Sequence, residues 1–177
     1  MTRHEKSWPD QARSFIGYCL SEPLYRLFSL VPHLEIGLST QEISRLTYAH
    51  SLLAGHRAVH LSDLHLDRYQ PRHDRVVATI GELRPDWIFI TGDLINVPEG
   101  LPHVFRFLAG LREIAPVFIT LGNHDHYSGV PIDRYCELAD RHKITLLINQ
   151  TTFIRTDCGE IAIVGVDDPS LHRADLS

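Results

Sequence analysis

Three short polar clusters carry the side chains whose types and spacing could do chemistry. They are His60-Leu61-Ser62-Asp63-Leu64-His65-Leu66, Thr91-Gly92-Asp93 and Leu121-Gly122-Asn123-His124-Asp125. Each cluster follows a run of β-forming residues, at 59–61, 87–90 and 117–121, so each is predicted to lie just past the C-terminal end of a strand. An α/β sheet keeps its active site at that edge.

The donor atoms of these clusters suit a metal ion. Asp63 and Asp93 offer carboxylates, His65 an imidazole and Asn123 an amide oxygen, a set without thiolate that favours Mn, Fe or Zn. Asp63 and His65 are two residues apart and can point toward one ion. The Asp93 carboxylate could bridge two ions separated by roughly 3.5–4 Å, as in sites for phosphoryl transfer. His124 would then serve as an acid.

Each cluster also has a simpler structural interpretation. Gly92-Asp93 after a strand is typical of a turn with a side-chain hydrogen bond, and Asn123-His124-Asp125 could cap a helix. Three such clusters at successive strand ends favour the metal site over these interpretations.

The motifs D-x-H, G-D and G-N-H-[DE] are similar to those of the calcineurin-like metallophosphoesterases, in the same order. From Arg57 to about Asp168 the sequence resembles the small bacterial branch of that family, which includes phosphodiesterases and UDP-diacylglucosamine pyrophosphatases. The resemblance implies two divalent metal ions, the first held by Asp63, His65 and Asp93. It implies that Asp93 and Asn123 hold the second and that His124 protonates the leaving oxygen.

The resemblance also implies the reaction, which is in-line attack of a metal-bound hydroxide on a phosphodiester or a pyrophosphate. Some relatives orient the acid with an aspartate at the position of Asn96, whose amide oxygen can accept a hydrogen bond from imidazole but carries no charge. Asp125 is expected to share that supporting role. Val97 stands where protein phosphatases carry arginine, which argues against that class.

The predicted fold class is α/β, as the first half of an αββα sandwich. Strands at 57–62, 87–90 and 117–121 alternate with helices at about 72–83, 101–113 and 131–142, and further strands at 144–148, 152–155 and 160–166 include a hairpin turn at 157–159. Residues 56–177 are predicted to form the family's core, apparently its N-terminal half to two-thirds. The family's later histidine and G-H-x-H motif are not evident, and His142 and His172 are expected to be surface residues.

Residues 1–55 are predicted to form a helical N-terminal lead-in. Residues 15–31 make an amphipathic stripe that either packs on protein or lies on a membrane surface. Ser39-Thr40-Gln41-Glu42 is typical of a capping box, with Ile43, Leu46, His50 and Leu53 on one helix face and His50 packed.

Composition limits the class of protein. The chain has 177 residues, of which 44% are hydrophobic, which suits one domain with a core. A net charge of −5 gives no reason to expect nucleic acid as a partner. Three cysteines without paired spacing and no visible signal peptide predict a cytoplasmic protein, with peripheral membrane contact through residues 15–31.

Two functions remain open at this point. The first is a metal-dependent phosphoesterase, whose substrate stays open among a generic phosphodiester, a nucleotide and the pyrophosphate of a nucleotide-activated lipid precursor. The alternative is a non-catalytic or truncated metallophosphoesterase-like fragment that acts as a binding module or needs a partner chain to complete the site.

Overall fold

A computed structural model of the chain describes residues 43–48, 50–157 and 159–175. The chain divides into two compact units, residues 1–47 and residues 48–177. In the first unit only residues 43–47 are described, and they have exposed side chains and no regular secondary structure. The predicted amphipathic stripe at 15–31 and the capping box at 39–42 lie outside the described residues.

The predicted helix through Ile43, Leu46, His50 and Leu53 is wrong in its described part. Residues 43–48 form no helix, and only a short 3-10 turn is present at Ser51–Leu53. His50 is exposed rather than packed, and its Nδ1 accepts a hydrogen bond from the Leu52 N–H at 3.3 Å. Because Ile43 and Leu46 are 50% and 78% exposed, the apolar face lacks the tertiary packing on which a short helix depends.

Four parallel strands form the central sheet in the order β1-β2-β3-β4. They are β1 at Ala58–Ser62, β2 at Trp87–Thr91, β3 at Val117–Thr120 and β4 at Thr145–Leu146. Ser62 pairs with Thr91, and Thr91 pairs with Thr120, so the first three strands end at the same level. The three polar clusters therefore leave the sheet side by side.

Helices cover one face of this sheet. They are α1 at Pro71–Leu83, α2 at Leu101–Arg112, the short α3 at Asn123–Tyr127 and α4 at Ile132–His142. Successive side chains of a strand point to opposite faces of the sheet, so Ile88 and Ile90 share one face and join the core beneath the helices. Val104, Leu108 and Leu111 of α2 are fully buried in the same core.

An antiparallel hairpin covers the other face. It consists of β5 at Gln150–Thr156 and β6 at Gly159–Gly165. Trp87, Phe118 and Leu147 form a second core there, against which Ile154, Ile161 and Ile163 pack. Helices, a parallel sheet and the hairpin of a second sheet are three layers of the predicted sandwich, and the α/β class is confirmed.

The predicted elements of the core largely match the observed ones. The helices beginning near residues 72, 101 and 131 and the hairpin are present. The strand predicted at 144–148 is reduced to two residues, and α3 was not predicted as a helix. None of the helices among the described residues is both long and apolar enough to cross a membrane.

Candidate metal centre

The loops after β1 and β2 bring three candidate metal ligands together. One ligand atom from each of Asp63, His65 and Asp93 lies within 4.8 Å of the others. All three residues have φ in the left-handed region, at 53°, 41° and 53°, which non-glycine residues rarely adopt. Such backbone strain concentrates at functional sites, where the surrounding structure holds it in place.

Hydrogen bonds between the two loops hold this geometry. The His65 N–H donates to the Asp93 carbonyl at 2.9 Å, and the Leu66 N–H donates to the Leu94 carbonyl at 2.8 Å. Ser62 Oγ lies within hydrogen-bond distance of two acceptors, the Asp63 carboxylate and, at 3.0 Å, the Thr91 carbonyl, and its single proton serves one of them at a time. The backbone of the two loops therefore holds the candidate ligands close together.

The loop after β3 comes very close to Asp93. The His124 N–H donates to Asp93 Oδ1 at 3.0 Å. A Cβ on Gly122 would lie only 2.2 Å from Asp93 Oδ1 and 2.6 Å from the Asp93 nitrogen. Only glycine fits at position 122, because any side chain there would displace the Asp93 carboxylate.

Asn123 lies on the wall of a pocket of about 350 Å³ that Asp63 and Asp93 also line. Residues 164–169, which end β6 and follow it, line the pocket as well. The structure thus brings all four predicted ligands to one place. The role of Asn123 as a ligand stays a prediction.

His124 lies beside His65, with 4.8 Å between the ring centroids and the rings nearly perpendicular. The Nδ1 atoms of both rings are 2.8 Å from the same acceptor, Asn96 Oδ1. Asn96 therefore contacts the predicted acid, as the sequence suggests, and contacts a predicted metal ligand as well.

Asp125 is fully buried. Its carboxylate accepts hydrogen bonds from the N–H groups of Leu94, Ile95 and Gly122 at 2.9–3.2 Å and from the Tyr135 hydroxyl at 3.4 Å. Burial raises the pKa of this carboxyl, and the backbone donors oppose that rise. These contacts agree with the helix-capping interpretation of the third cluster, and the predicted help to His124 stays a prediction.

Two further carboxylates, Asp67 and Asp167, contact residues that follow the second and third clusters, although neither carboxylate belongs to a motif. Asp67 Oδ1 accepts from the N–H groups of Asn96 and Val97 at 2.8 and 3.3 Å, and Asp67 Oδ2 accepts from Asn96 Nδ2 at 2.9 Å. The sequence signal for Asp67 is its position two residues after His65, directly after the first cluster. Asp167 Oδ1 lies 2.7 Å from Nε2 of His126, and both side chains are nearly buried. Asp167 also lines the pocket. Its position directly after a strand was the corresponding signal.

The other downstream histidines lie apart from the group of three ligands, as far as the described residues show. His142 is half-buried, with its ring 5.8 Å from that of Phe105, and His172 is exposed. The donor set that does converge, two carboxylates and an imidazole, fits a divalent ion and lacks the thiolates of a structural zinc site.

Sequence comparison agrees with this geometry. The family model of the calcineurin-like phosphoesterases matches residues 56–161. YkuE of Bacillus subtilis, an uncharacterized metallophosphoesterase, is 34% identical over 127 residues, which are 68% of this chain and 44% of YkuE. The phosphodiesterase YaeI of Escherichia coli is 32% identical over 130 residues, which are 70% of this chain and 48% of YaeI.

A third relative is the UDP-2,3-diacylglucosamine pyrophosphatase LpxG of Chlamydia trachomatis, which is 38% identical over 93 residues. That match covers 49% of this chain and 27% of LpxG. The chain spans less than half the length of each of these three relatives. Since the family match covers more than half of this chain and contains all three motifs, the chain belongs to the calcineurin-like phosphoesterase family.

Proposed function

We propose that the protein is a metal-dependent hydrolase of a phosphodiester or pyrophosphate bond. One observation carries the proposal: ligand atoms of Asp63, His65 and Asp93 lie within 4.8 Å of one another, with the His124 ring beside them. These three residues would hold one divalent ion, and Asp93 and Asn123 would hold a second.

The divalent ions would activate water and neutralise charge that develops on the phosphoryl oxygens. The chain itself supplies the proton for the leaving oxygen. Nδ1 of His124 lies 2.8 Å from Asn96 Oδ1, and we assign delivery of this proton to the other ring nitrogen, Nε2. General acid catalysis of this kind typically contributes about 10²–10⁴-fold in rate.

The proposed substrate is a phosphodiester or the pyrophosphate of a lipid-linked nucleotide. The pocket of about 350 Å³ falls within the size range of small-molecule sites. The relative YaeI is named as a phosphodiesterase and LpxG as a pyrophosphatase of UDP-2,3-diacylglucosamine. A lipid-linked substrate would also give the amphipathic stripe at 15–31 a use at the membrane surface.

The first test is Mn²⁺-dependent hydrolysis of bis(p-nitrophenyl) phosphate by the full chain. We expect Asp93→Ala to lose metal binding in calorimetry, because it removes a ligand of both ions. We expect His124→Ala to keep the metal and to lose about 10²–10⁴-fold in kcat. Exposed His172 provides the matched control, since His172→Ala should change neither quantity. Full metal occupancy in Asp93→Ala would refute the ligand assignment.

The membrane contact has a separate test. Co-sedimentation of the chain with anionic liposomes should disappear when Leu27 and Phe28 are replaced by polar residues. Absence of binding of the unaltered chain to any anionic liposome would exclude this use of the stripe.

A second candidate function is a metal-binding module whose site another chain completes. The number of proposed ligands favours this candidate. Among the described residues the second ion has two proposed ligands, Asp93 and Asn123, whereas the first ion has three. Calorimetry separates the two candidates. One metal ion per folded chain, with no hydrolysis, would favour the module, whereas two ions with turnover would favour the enzyme.

A further inference from the structure

Asp67, Asn96, His65 and His124 form one connected hydrogen-bond network. Asp67 Oδ2 accepts from Asn96 Nδ2 at 2.9 Å, and Asn96 Oδ1 lies 2.8 Å from Nδ1 of each histidine ring. All four side chains are half-buried. The network links a residue that the motifs do not include, Asp67, to both rings of the candidate site.

The chemistry of these groups fixes the direction of each hydrogen bond. An ionised carboxylate only accepts hydrogen bonds, so the Asn96 amide must turn its NH₂ group toward Asp67. Its carbonyl oxygen then faces the two rings. A carbonyl oxygen also only accepts, and its two lone pairs can serve two donors, so both histidines must carry a proton on Nδ1.

We propose that Asp67 is a positioning residue that acts through Asn96 to hold His65 and His124 with the proton on Nδ1. This inference rests on the proposed function, whose metal-ligand and acid roles it deepens. With Nδ1 protonated, Nε2 of His65 keeps a lone pair for a metal ion. Nε2 of His124 is then the nitrogen that carries the second proton of the imidazolium form, and this is the proton that would pass to the leaving oxygen.

The surroundings of Asp67 restrict its carboxylate. Oδ1 is held by the N–H groups of Asn96 and Val97 at 2.8 and 3.3 Å. A Cβ on Gly100 would lie 3.0 Å from both Cα and Oδ1 of Asp67, so the backbone of the 3-10 turn at Pro98–Gly100 packs directly on this residue. These contacts restrain the Asp67 carboxylate, which in turn sets the orientation of the Asn96 amide.

The test reads the histidine tautomers directly. Long-range ¹H–¹⁵N correlation spectra of the ¹⁵N-labelled, metal-free full chain, at a pH where imidazole is neutral, distinguish a protonated Nδ1 from a protonated Nε2. Spectra of His65→Asn and His124→Asn assign the two rings. We expect both rings of the unaltered chain to carry the proton on Nδ1. A proton on Nε2 of either ring would overturn the proposal.

Two variants then separate positioning from simple structural support. In Asp67→Asn the new amide can donate toward position 96, so the Asn96 amide should turn over and both rings should change to the Nε2-protonated tautomer. Mn²⁺ affinity, measured by calorimetry, should fall by about 10–100-fold, as for other groups that orient metal ligands. In the double variant that exchanges this pair, Asp67→Asn with Asn96→Asp, the new amide at position 67 donates to the new carboxylate at position 96. That carboxylate only accepts, so both rings should return to the Nδ1-protonated tautomer.

An unchanged tautomer in folded Asp67→Asn would overturn the proposal. If that variant does not fold, the exchanged pair decides, since Nε2-protonated rings in it would contradict the network. Asp140→Asn, on the exposed face of α4, is the matched control and should leave the tautomers unchanged. The tautomers are read without metal or substrate, so a chain that hydrolyses nothing would refute the proposed function while leaving this result intact.

Discussion

Two carboxylates, Asp67 and Asp125, hold the loop that follows β2, and they differ in burial and in what they hold. Asp125 is fully buried and accepts N–H groups from the backbone of Leu94, Ile95 and Gly122. Asp67 is half-buried and accepts two backbone N–H groups together with the side-chain amide of Asn96.

This difference predicts that the two carboxylates have different roles, one in the stability of the folded chain and the other in the orientation of the histidine rings. Removing Asp125 would leave three backbone donors without their acceptor in the interior, which is costly because water cannot replace it. Removing Asp67 would leave groups that solvent reaches more easily, but it would release the amide that touches both histidines. We therefore expect loss of Asp125 to act mainly on folding and loss of Asp67 mainly on the site.

The largest effect on stability is expected from Asp125→Ala. It should lower the free energy of unfolding by about 3–5 kcal/mol, since several buried donors lose their acceptor together. Urea denaturation followed by circular dichroism measures this loss. The control is Asp133→Ala on the exposed side of α4, which should stay within about 0.5 kcal/mol of the unaltered chain. A loss below about 1 kcal/mol for Asp125→Ala would remove the basis of the comparison.

Gly122→Ala should have the next largest effect. The new Cβ would meet Asp93 Oδ1 at 2.2 Å and the Asp93 nitrogen at 2.6 Å, so the two loops must separate. We expect a loss of about 2–3 kcal/mol in the same denaturation experiment, together with weaker Mn²⁺ binding. Gly129→Ala serves as a control for the substitution in a loop, because it is strained at φ +78° but meets nothing within 4 Å. Unchanged Mn²⁺ affinity in Gly122→Ala would show that the position of Asp93 does not depend on this contact.

Asp67→Ala should cost less stability, about 1–2 kcal/mol, because its site is half-buried. Its Mn²⁺ affinity should nevertheless fall by about 10–100-fold, since the ring orientation of His65 is lost. Calorimetry and denaturation on the same sample give the two numbers. The comparison would fail if Asp67→Ala lowered stability as much as Asp125→Ala while leaving the Mn²⁺ affinity unchanged.

The smallest effect is expected from Tyr135→Phe, which removes the tyrosine hydroxyl that donates to Asp125. At neutral pH the free energy of unfolding should fall by about 0.5–1 kcal/mol. Burial, with the Asp125 carboxylate nearby, raises the pKa of Tyr135 in the folded chain. The contribution is therefore fully present below the unfolded pKa of about 10 and is lost as pH rises through the folded pKa. The difference between the two proteins in pH-dependent denaturation should shrink above about pH 10, and a constant difference would contradict this sign.

The sequence predicts the positions of most core elements because their local signals agree. The apolar stretches of β2 and β3 and the helical spacing of α2 each have one compatible place in an α/β core. The predicted helix near residue 46 failed for the opposite reason. Ile43 and Leu46 have the right spacing but remain exposed, and spacing alone cannot show whether a surface exists for them to pack against.

The candidate site divides in the same way. Asp63, His65, Asp93, Asn123 and His124 follow from motifs, because residue type and strand-end position suffice to place them at one edge of the sheet. The roles of Asp67 and Asp167 could not be predicted, because each depends on a partner about 30 or 40 residues away in the sequence.

The sequence by itself determined the α/β class, the order of the elements and which side chains offer donor atoms at the C-terminal edge of the sheet. Only the tertiary structure decided which carboxylate serves which group. A carboxylate can bind an ion, cap a helix or orient an amide, and its burial and nearest donors select among these. Asp63, Asp67, Asp93 and Asp125 have the same side chain, and the distances between loops from different parts of the chain give each a different set of partners.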